Sequence, residues 1–401
     1  MKRKNPAKKP TKKELARERA LFNKHYADKE TRYYKRLMRH FRLEKPKFWW
    51  KERNLLQKLG LILLSLLILT VSSMYGIARW YISTQSHKEL KYGATFIPSY
   101  ARFFGLEPKT TMQAMIDDLN LRHFRLVSYW NEIEKTPGHY DFRELDWQFK
   151  KAEDSNSTVS LAIGLRQPRW PECHMPSWAE KQPKSVWYPQ LKTFMTKVME
   201  RYKDSPALDS YQLENEFFLD VFGICPDFSR DRLIDEANLV KQVDPDTTLI
   251  ISRSNNALGL PIGQPQPDRF GISIYKRVWD ANITKRYFEY PFPAWFYGFL
   301  AGAGKIVTGK DLIIHELRAE PWGPDKSIKD ISITEQNKSF NAERLTDRIK
   351  FGKATGMREI DLWGVEMWYW RKVALNDPSL WEAGKAGLRD QQCNDCYLPR
   401  D

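Results

Sequence analysis

The stretch Tyr211-Gln212-Leu213-Glu214-Asn215-Glu216 decides how the chain is read. It has the pattern of a short buried strand running into two polar groups, Asn215 and Glu216. A second segment, Asp311-Leu312-Ile313-Ile314-His315-Glu316, also ends on a glutamate. In a parallel barrel, functional groups gather where strands end at the C-terminal edge. Side-chain alternation puts Gln212, Glu214 and Glu216 on one face of the first strand, and Leu312, Ile314 and Glu316 on one face of the second. Both terminal glutamates are then expected to point into one barrel mouth.

Working outward, short apolar runs alternate with amphipathic ones over residues 92–390. Expected strands are Tyr92–Phe96, His123–Tyr129, Thr158–Leu165, Leu208–Glu216, Thr248–Ser252, Phe270–Ile274, Leu312–Glu316 and Glu359–Val365. Expected helices include Thr110–Leu119, Phe142–Glu153, Val186–Lys203, Arg230–Gln242 and Ala342–Thr355. The class is α/β, and the order fits an eight-fold (β/α)8 TIM barrel. A doubly wound open sheet alternates in the same way. The lack of a glycine-rich phosphate loop after the first strand argues against its nucleotide-binding form. The aromatic stretch 287–304 reads as a lid or subsite wall, or as a helix packed on the barrel or touching a membrane.

The chain of 401 residues carries a net charge of +15, and that charge is confined to one end. Residues 1–58 hold 21 Lys/Arg against 6 Asp/Glu; the rest holds 44 of each sign. The balanced barrel therefore has no electrostatic reason to bind nucleic acid. The first dozen residues have a disordered composition. Leu15–Leu43 fits a basic helix at a membrane surface, where anionic lipid is the expected contact, or a solvated tail that sets topology.

Leu59 to Ala78 contains no charge over 20 residues, between Lys58 and Arg79. A helix of that length spans about 30 Å, the hydrocarbon thickness of a bilayer. Trp49, Trp50, Trp80 and Tyr81 flank it as interfacial aromatics. The leader before it is too long for a cleaved signal peptide. The expected organisation is a cytoplasmic basic tail (1–58), a signal-anchor transmembrane helix with its flank (59–83), a linker (84–91), the barrel (92–390) and a C-terminal CxxC tail (391–401). By the positive-inside rule the barrel lies outside the cytoplasm.

Four cysteines are present. Cys173 and Cys225 fall in the loops after the third and fourth strands, where neighbouring loops on one barrel face would bring them into disulfide range in an oxidising compartment. Cys393 and Cys396 lack a second pair at zinc spacing and read as a terminal disulfide or two thiols. His123 and His174 show no metal spacing and read as local hydrogen-bonding groups. Neither a metal nor another cofactor is expected. The 15 tryptophans are mostly packing residues, yet flat aromatic faces also suit sugar rings.

The chemistry fits this pattern. Retaining hydrolysis of a glycosidic bond needs one carboxyl as acid/base and a second as nucleophile. Residues 211–216 resemble the acid/base strand of the clan A glycoside hydrolases, and Ile313-Ile314-His315-Glu316-Leu317 resembles their nucleophile strand. Arg125-Leu-Val-Ser-Tyr-Trp130, with Ile133-Glu134 and Gly138-His-Tyr140-Asp-Phe142-Arg-Glu-Leu145-Asp146, resembles the strand-two to helix-two segment of the clan's β-galactosidase families. Leu362-Trp363-Gly364-Val365 resembles the strand-eight segment of its xylanases.

The resemblance covers about residues 91–390. It implies Glu216 as acid/base, Glu316 as nucleophile, Asn215 on the sugar, Arg125 and Tyr275 supporting the nucleophile, and Trp363 as the sugar platform. Trp130 and Trp322 are further candidates for substrate contact. Trp170 and its neighbour Trp178 either line subsites or pack the loop. Phe217 stands where the pattern has proline, and His315 where it has threonine. Glu320 and Glu366 are rival site carboxylates. The expected substrate is an oligo- or polysaccharide. A transglycosylase would use the same residues, and a catalytically silent barrel binding a glycan or a protein is the reading from another class.

Overall fold

The computed structural model describes residues 53–219, 223–254, 263–324 and 327–389, with scattered positions between 11 and 24. Most of the expected surface helix at 15–43, most of the basic tail and the Cys393/Cys396 pair lie outside the described residues. The chain divides into two compact units, Met1–Val71 and Ser72–Asp401.

A helix runs from Leu55 to Gln85. It is long and apolar enough to cross a membrane, and only 6% of its most apolar window is buried. Its residues from Ser72 onward belong to the second unit. There Tyr75 meets the ring of Trp295 edge-on at 5.6 Å. Gly302 lies against Ile77 and Tyr81, where a Cβ would come within 2.9 Å of Ile77 Cγ2 and of Tyr81 Cβ. The aromatic stretch is thus resolved in favour of a packed helix. It begins in the second strand of a two-stranded hairpin (Arg277–Asp280 and Arg286–Glu289) and continues into the helix Ala294–Thr308, which receives these residues.

Eight parallel strands close a barrel. In chain order they are β1 (Lys91–Thr95), β2 (His123–Val127), β3 (Thr158–Ile163), β4 (Leu208–Leu213), β5 (Thr248–Ser254), β6 (Arg269–Ile274), β9 (Asp311–Arg318) and β10 (Glu359–Trp363); β7 (Arg277–Asp280) and β8 (Arg286–Glu289) are the hairpin. The order around the barrel is β1-β10-β9-β6-β5-β4-β3-β2. Helices cover the outside because each presents one apolar stripe to the sheet. In the helix Lys184–Tyr202 that stripe is Trp187, Leu191, Phe194, Met195, Val198, Met199 and Tyr202. Polar caps fix helix starts: Ser229 accepts from the backbone N–H of Arg232, and Asn341 from that of Arg344.

Two departures from simple alternation shape the mouth. β4 ends at Leu213, three residues earlier than its pattern suggests, and Glu214 and Glu216 both take left-handed backbone conformations, at φ 49° and 45°. Gln212, Glu214 and Glu216 therefore do not share one face. In β9 the pairing with β6 shifts register between Ile272 and Ser273, so that Ile314 pairs with Ile272 and Glu316 with Ser273. This irregularity sits beside His315 and Glu316. The His315 ring packs on Gly271, while Glu316 reaches Arg125.

Candidate active site

Arg125 organises the mouth. It rises from β2 fully buried, and its guanidinium makes three short bonds. Nε donates to Gln212 Oε1 at 2.7 Å, Nη2 to Asn215 Oδ1 at 2.6 Å and Nη1 to Glu316 Oε1 at 2.6 Å. Tyr275, following β6, donates its hydroxyl to the other oxygen of Glu316, Oε2, at 2.6 Å. Both oxygens of Glu316 are thereby held, one by a fixed positive charge. The structure brings Glu316, Arg125, Tyr275 and Asn215 together as the resemblance implies.

Glu216 has the opposite environment. Its backbone N–H donates to Ser252 Oγ at 3.1 Å, and Ser252 also accepts from Gln212 Nε2 at 2.9 Å. The carboxyl is 3% exposed, and its Oε1 has no hydrogen-bond partner among the described residues. Burial, then the charges of Glu316 and Glu172, push its proton affinity up to about 8. It therefore holds a proton at neutral pH.

Glu214 does different work. It accepts from the backbone N–H groups of Leu165 and Arg166 at 2.6 and 3.1 Å and pairs with Arg232 at 3.0 Å. Arg232 pairs in turn with Glu236 at 2.7 Å. This buried cluster ties the turn after β4 to the loop after β3. Gly164 makes the approach feasible: its φ is +104°, and a Cβ there would press into the Glu214 carboxyl.

The loop after β3 supplies two residues that local sequence reading missed. Glu172 pairs with Arg166 at 2.7 Å, and burial pushes its carboxyl up to about 7. Its neighbour Cys173 forms the expected disulfide with Cys225, whose Cα is 5.3 Å away, so the loops after β3 and β4 are joined beside Glu216. Arg169 stacks on Tyr100 at 3.3 Å from the ring centre and on Trp363 at 4.3 Å. It also pairs with Glu320 at 3.3 Å. Ser252, Glu172 and Arg169 are single polar residues in loops or at a strand end, and nothing in their own neighbourhoods marks them.

Glu320 accepts from Tyr100 Oη at 2.7 Å and from Trp363 Nε1 at 2.9 Å, as well as from Arg169. Trp363 is 5% exposed, with one ring contact taken by Arg169. Glu366 begins the helix after β10 and accepts from the Ile97 N–H at 2.8 Å; burial pushes it up to about 7. Neither rival touches Arg125.

The tryptophans separate clearly. Trp130 is fully buried, donates to Glu134 Oε2 at 2.6 Å and packs on Phe194 and Trp178. Trp130 is therefore packed as a core residue. Trp178 shares that packing. Trp170 is 72% exposed. Trp322 lies over the Arg318 guanidinium at 4.5 Å and meets Tyr275 edge-on at 6.0 Å, beside Glu316. His174 stacks on Tyr129 and bonds the Arg169 carbonyl, as a local role requires.

No family model and no curated protein matches the chain. Solved structures do. The chain is similar to a GH5_18 protein from Streptomyces cattleya, solved in complex with GlcNAc, at 12% identity over 78% of this chain and 83% of that one, with a TM-score of 0.51. It is also similar to a family 10 endo-β-1,4-xylanase from Gloeophyllum trabeum, at 14% identity over 76% of this chain and 97% of that one, with a TM-score of 0.48. A β-galactosidase from Halorubrum lacusprofundi aligns at 15% identity over 68% of this chain, with a TM-score of 0.45; the chain spans about half of its length, 52%. At such identities the likeness shows the barrel fold.

Proposed function

We propose that the protein is a retaining glycoside hydrolase acting on a β-linked oligo- or polysaccharide, anchored by the helix Leu55–Gln85 with its barrel outside the cytoplasm. One observation carries the reading. Two buried carboxyls share a barrel mouth, and their surroundings differ: one is ion-paired and the other lacks a paired cation among the described residues. Glu316 accepts from Arg125 and Tyr275, while burial and the neighbouring charges push Glu216 up to about 8. Paired carboxyls set apart in this way supply a nucleophile and an acid in one site.

In the first step Glu316 forms a bond to the anomeric carbon. The bond from that carbon to the leaving oxygen breaks, and Glu216 delivers its proton to that oxygen. In the second step Glu216 takes a proton from water. The water oxygen bonds to the anomeric carbon and the Glu316 carboxylate leaves. Asn215, locked by Arg125 and Gln212, is placed for a sugar hydroxyl. A sugar acceptor in place of water gives transglycosylation with the same residues. The disulfide supports an oxidising location for the barrel.

A second reading has one observation in its favour. Arg169 lies against Trp363, the expected sugar platform, which suits a catalytically silent barrel that binds without turnover. One experiment separates the two. The full chain in detergent micelles is incubated with a panel of activated 2-fluoro glycosides, weighed intact and mapped by peptide. A sugar adduct on Glu316 supports retaining hydrolysis. An adduct on Glu320 keeps the chemistry and overturns the nucleophile. Glycan-array binding that survives Glu216→Gln and Glu316→Gln, with no adduct from any sugar that binds, supports the silent barrel.

A further inference from the structure

At the opposite end of the barrel, where the strands begin, lies a second polar cluster that the proposed chemistry does not use. His123 on β2 and Glu359 and Asp361 on β10 each offer one ligand atom, and these lie within 4.8 Å of one another. His123 Nε2 is 3.8 Å from Glu359 Oε1 and 3.8 Å from Asp361 Oδ1. The side chains of His123 and Asp361 are fully buried, and that of Glu359 is 9% exposed.

The hydrogen bonding is incomplete in one direction only. His123 Nδ1 lies 2.7 Å from Thr158 Oγ1, whose own hydroxyl is aimed at the Arg122 carbonyl at 3.4 Å. In the tautomer in which Thr158 accepts from Nδ1–H, Nε2 presents a lone pair. Such a second bond is what orients a metal-binding imidazole. Nε2, Glu359 Oε1 and both oxygens of Asp361 have no hydrogen-bond partner among the described residues. In that tautomer four acceptors converge without a donor.

The charges are also unequal. Lys91 and Arg269 each bridge Asp209 and Glu359: Lys91 at 3.4 and 3.6 Å, Arg269 at 2.9 and 3.0 Å. Two cations there serve three acids, and Asp361 pairs with neither. Arg125 is committed to Glu316, Asn215 and Gln212. Gly93 on β1 completes the cradle, since a Cβ there would press on Asp361 Oδ1 and come within 2.8 Å of His123 Cδ2.

We propose that His123, Glu359 and Asp361 form a structural site for a divalent transition-metal ion of the zinc type. One imidazole and two carboxylates are suitable ligands for it. Ligand atoms about 2.1 Å from one tetrahedral ion lie about 3.4 Å apart, so each 3.8 Å spacing closes by a few tenths of an ångström. β1 lies between β10 and β2, so the ion joins β10 to β2 across the seam where the barrel closes on its first strand. It also supplies the charge that Asp361 lacks.

The test uses the full chain in micelles with Cys393→Ser and Cys396→Ser, so that those thiols are not counted. The protein is stripped with chelator, dialysed against micromolar zinc and assayed for bound metal. We expect one zinc per chain, a higher melting temperature than the stripped protein, and loss of both effects in Asp361→Asn and His123→Gln. Cobalt gives a second readout through its visible absorption band, which should vanish in the same variants. Asp361→Asn removes only charge, so it keeps the test open where His123→Gln misfolds. Parent protein that retains no zinc overturns the site, as does equal retention by Asp361→Asn. A stripped parent that binds nothing while Asp361→Asn melts higher would show that a proton, and not a metal, neutralises Asp361.

Discussion

Arg125 Nη1 donates to Glu316 Oε1 at 2.6 Å, although 191 residues separate them in the chain. Both side chains are withdrawn from water, so each needs the other. Arg125→Met should lower stability by about 3–5 kcal/mol, the usual cost of stranding one partner of a buried pair. Arg125→Lys should not restore it, because an ammonium cannot span Gln212, Asn215 and Glu316 as a planar fork does. Urea unfolding of the two variants checks both statements.

The pH profile follows from Glu216. Its carboxyl is raised to about 8, so activity that needs its proton should fall on the alkaline side near that pH. The charge of Glu172 contributes to the upward shift. Glu172→Gln removes that charge and releases Arg166 from its partner, so the alkaline limb of kcat/KM should move to lower pH. Glu216→Gln should lower the rate by about 10²–10⁴-fold for glycosides with poor leaving groups, the usual contribution of a positioned acid. A limb that stays in place in Glu172→Gln would contradict the assignment.

Glu366 makes a stability prediction with a definite sign. Burial raises its carboxyl from 4.5 to about 7, so the folded protein holds this proton more tightly than the unfolded chain does. Its contribution to stability is then full at low pH and is lost as pH rises from about 4.5 through about 7. At pH 8 the loss is about 3 kcal/mol, taking 1.36 kcal/mol for each pH unit. Glu366→Gln keeps an acceptor for the Ile97 N–H and carries no charge. It should melt higher than the parent at pH 8, with the difference shrinking towards pH 5.

The disulfide between Cys173 and Cys225 closes a loop of 52 residues. Losing it should lower stability by about 2–4 kcal/mol, mainly by freeing the unfolded chain. Because Glu172 adjoins Cys173, the Cys173→Ser/Cys225→Ser variant should also shift the alkaline limb. Melting curves and pH profiles of the double variant, set against Glu172→Gln, separate the two effects.

Much of this protein is legible along the chain because the signals are local. Apolar runs of strand length, alternating with helical stripes, are enough to count eight barrel strands. An uncharged run of 20 residues marks the one long exposed apolar helix among the described residues. Glu316 was marked by the pattern of its strand and Tyr275 by the family resemblance. Strand alternation failed at Glu214, because two left-handed residues turn the chain before the expected end of β4. The packing of Trp130 was not legible, because a tryptophan's surroundings depend on what packs over it: here Phe194 from a distant helix and Trp178 from the connection after β3.

The sequence by itself determined the barrel, the candidacy of Glu216 and Glu316 and the separation of a basic tail from a charge-balanced domain. Each depends on the spacing of residues near one another in the chain. Only the tertiary structure decided which groups change one another's chemistry. Glu172 bears on Glu216 because a disulfide joins two loops, Ser252 holds Gln212 and Glu216 from the neighbouring strand, and His123 faces Glu359 and Asp361 because the last strand closes beside the first. These are through-space effects of charge and desolvation, and they depend on distance and burial, which no local pattern encodes.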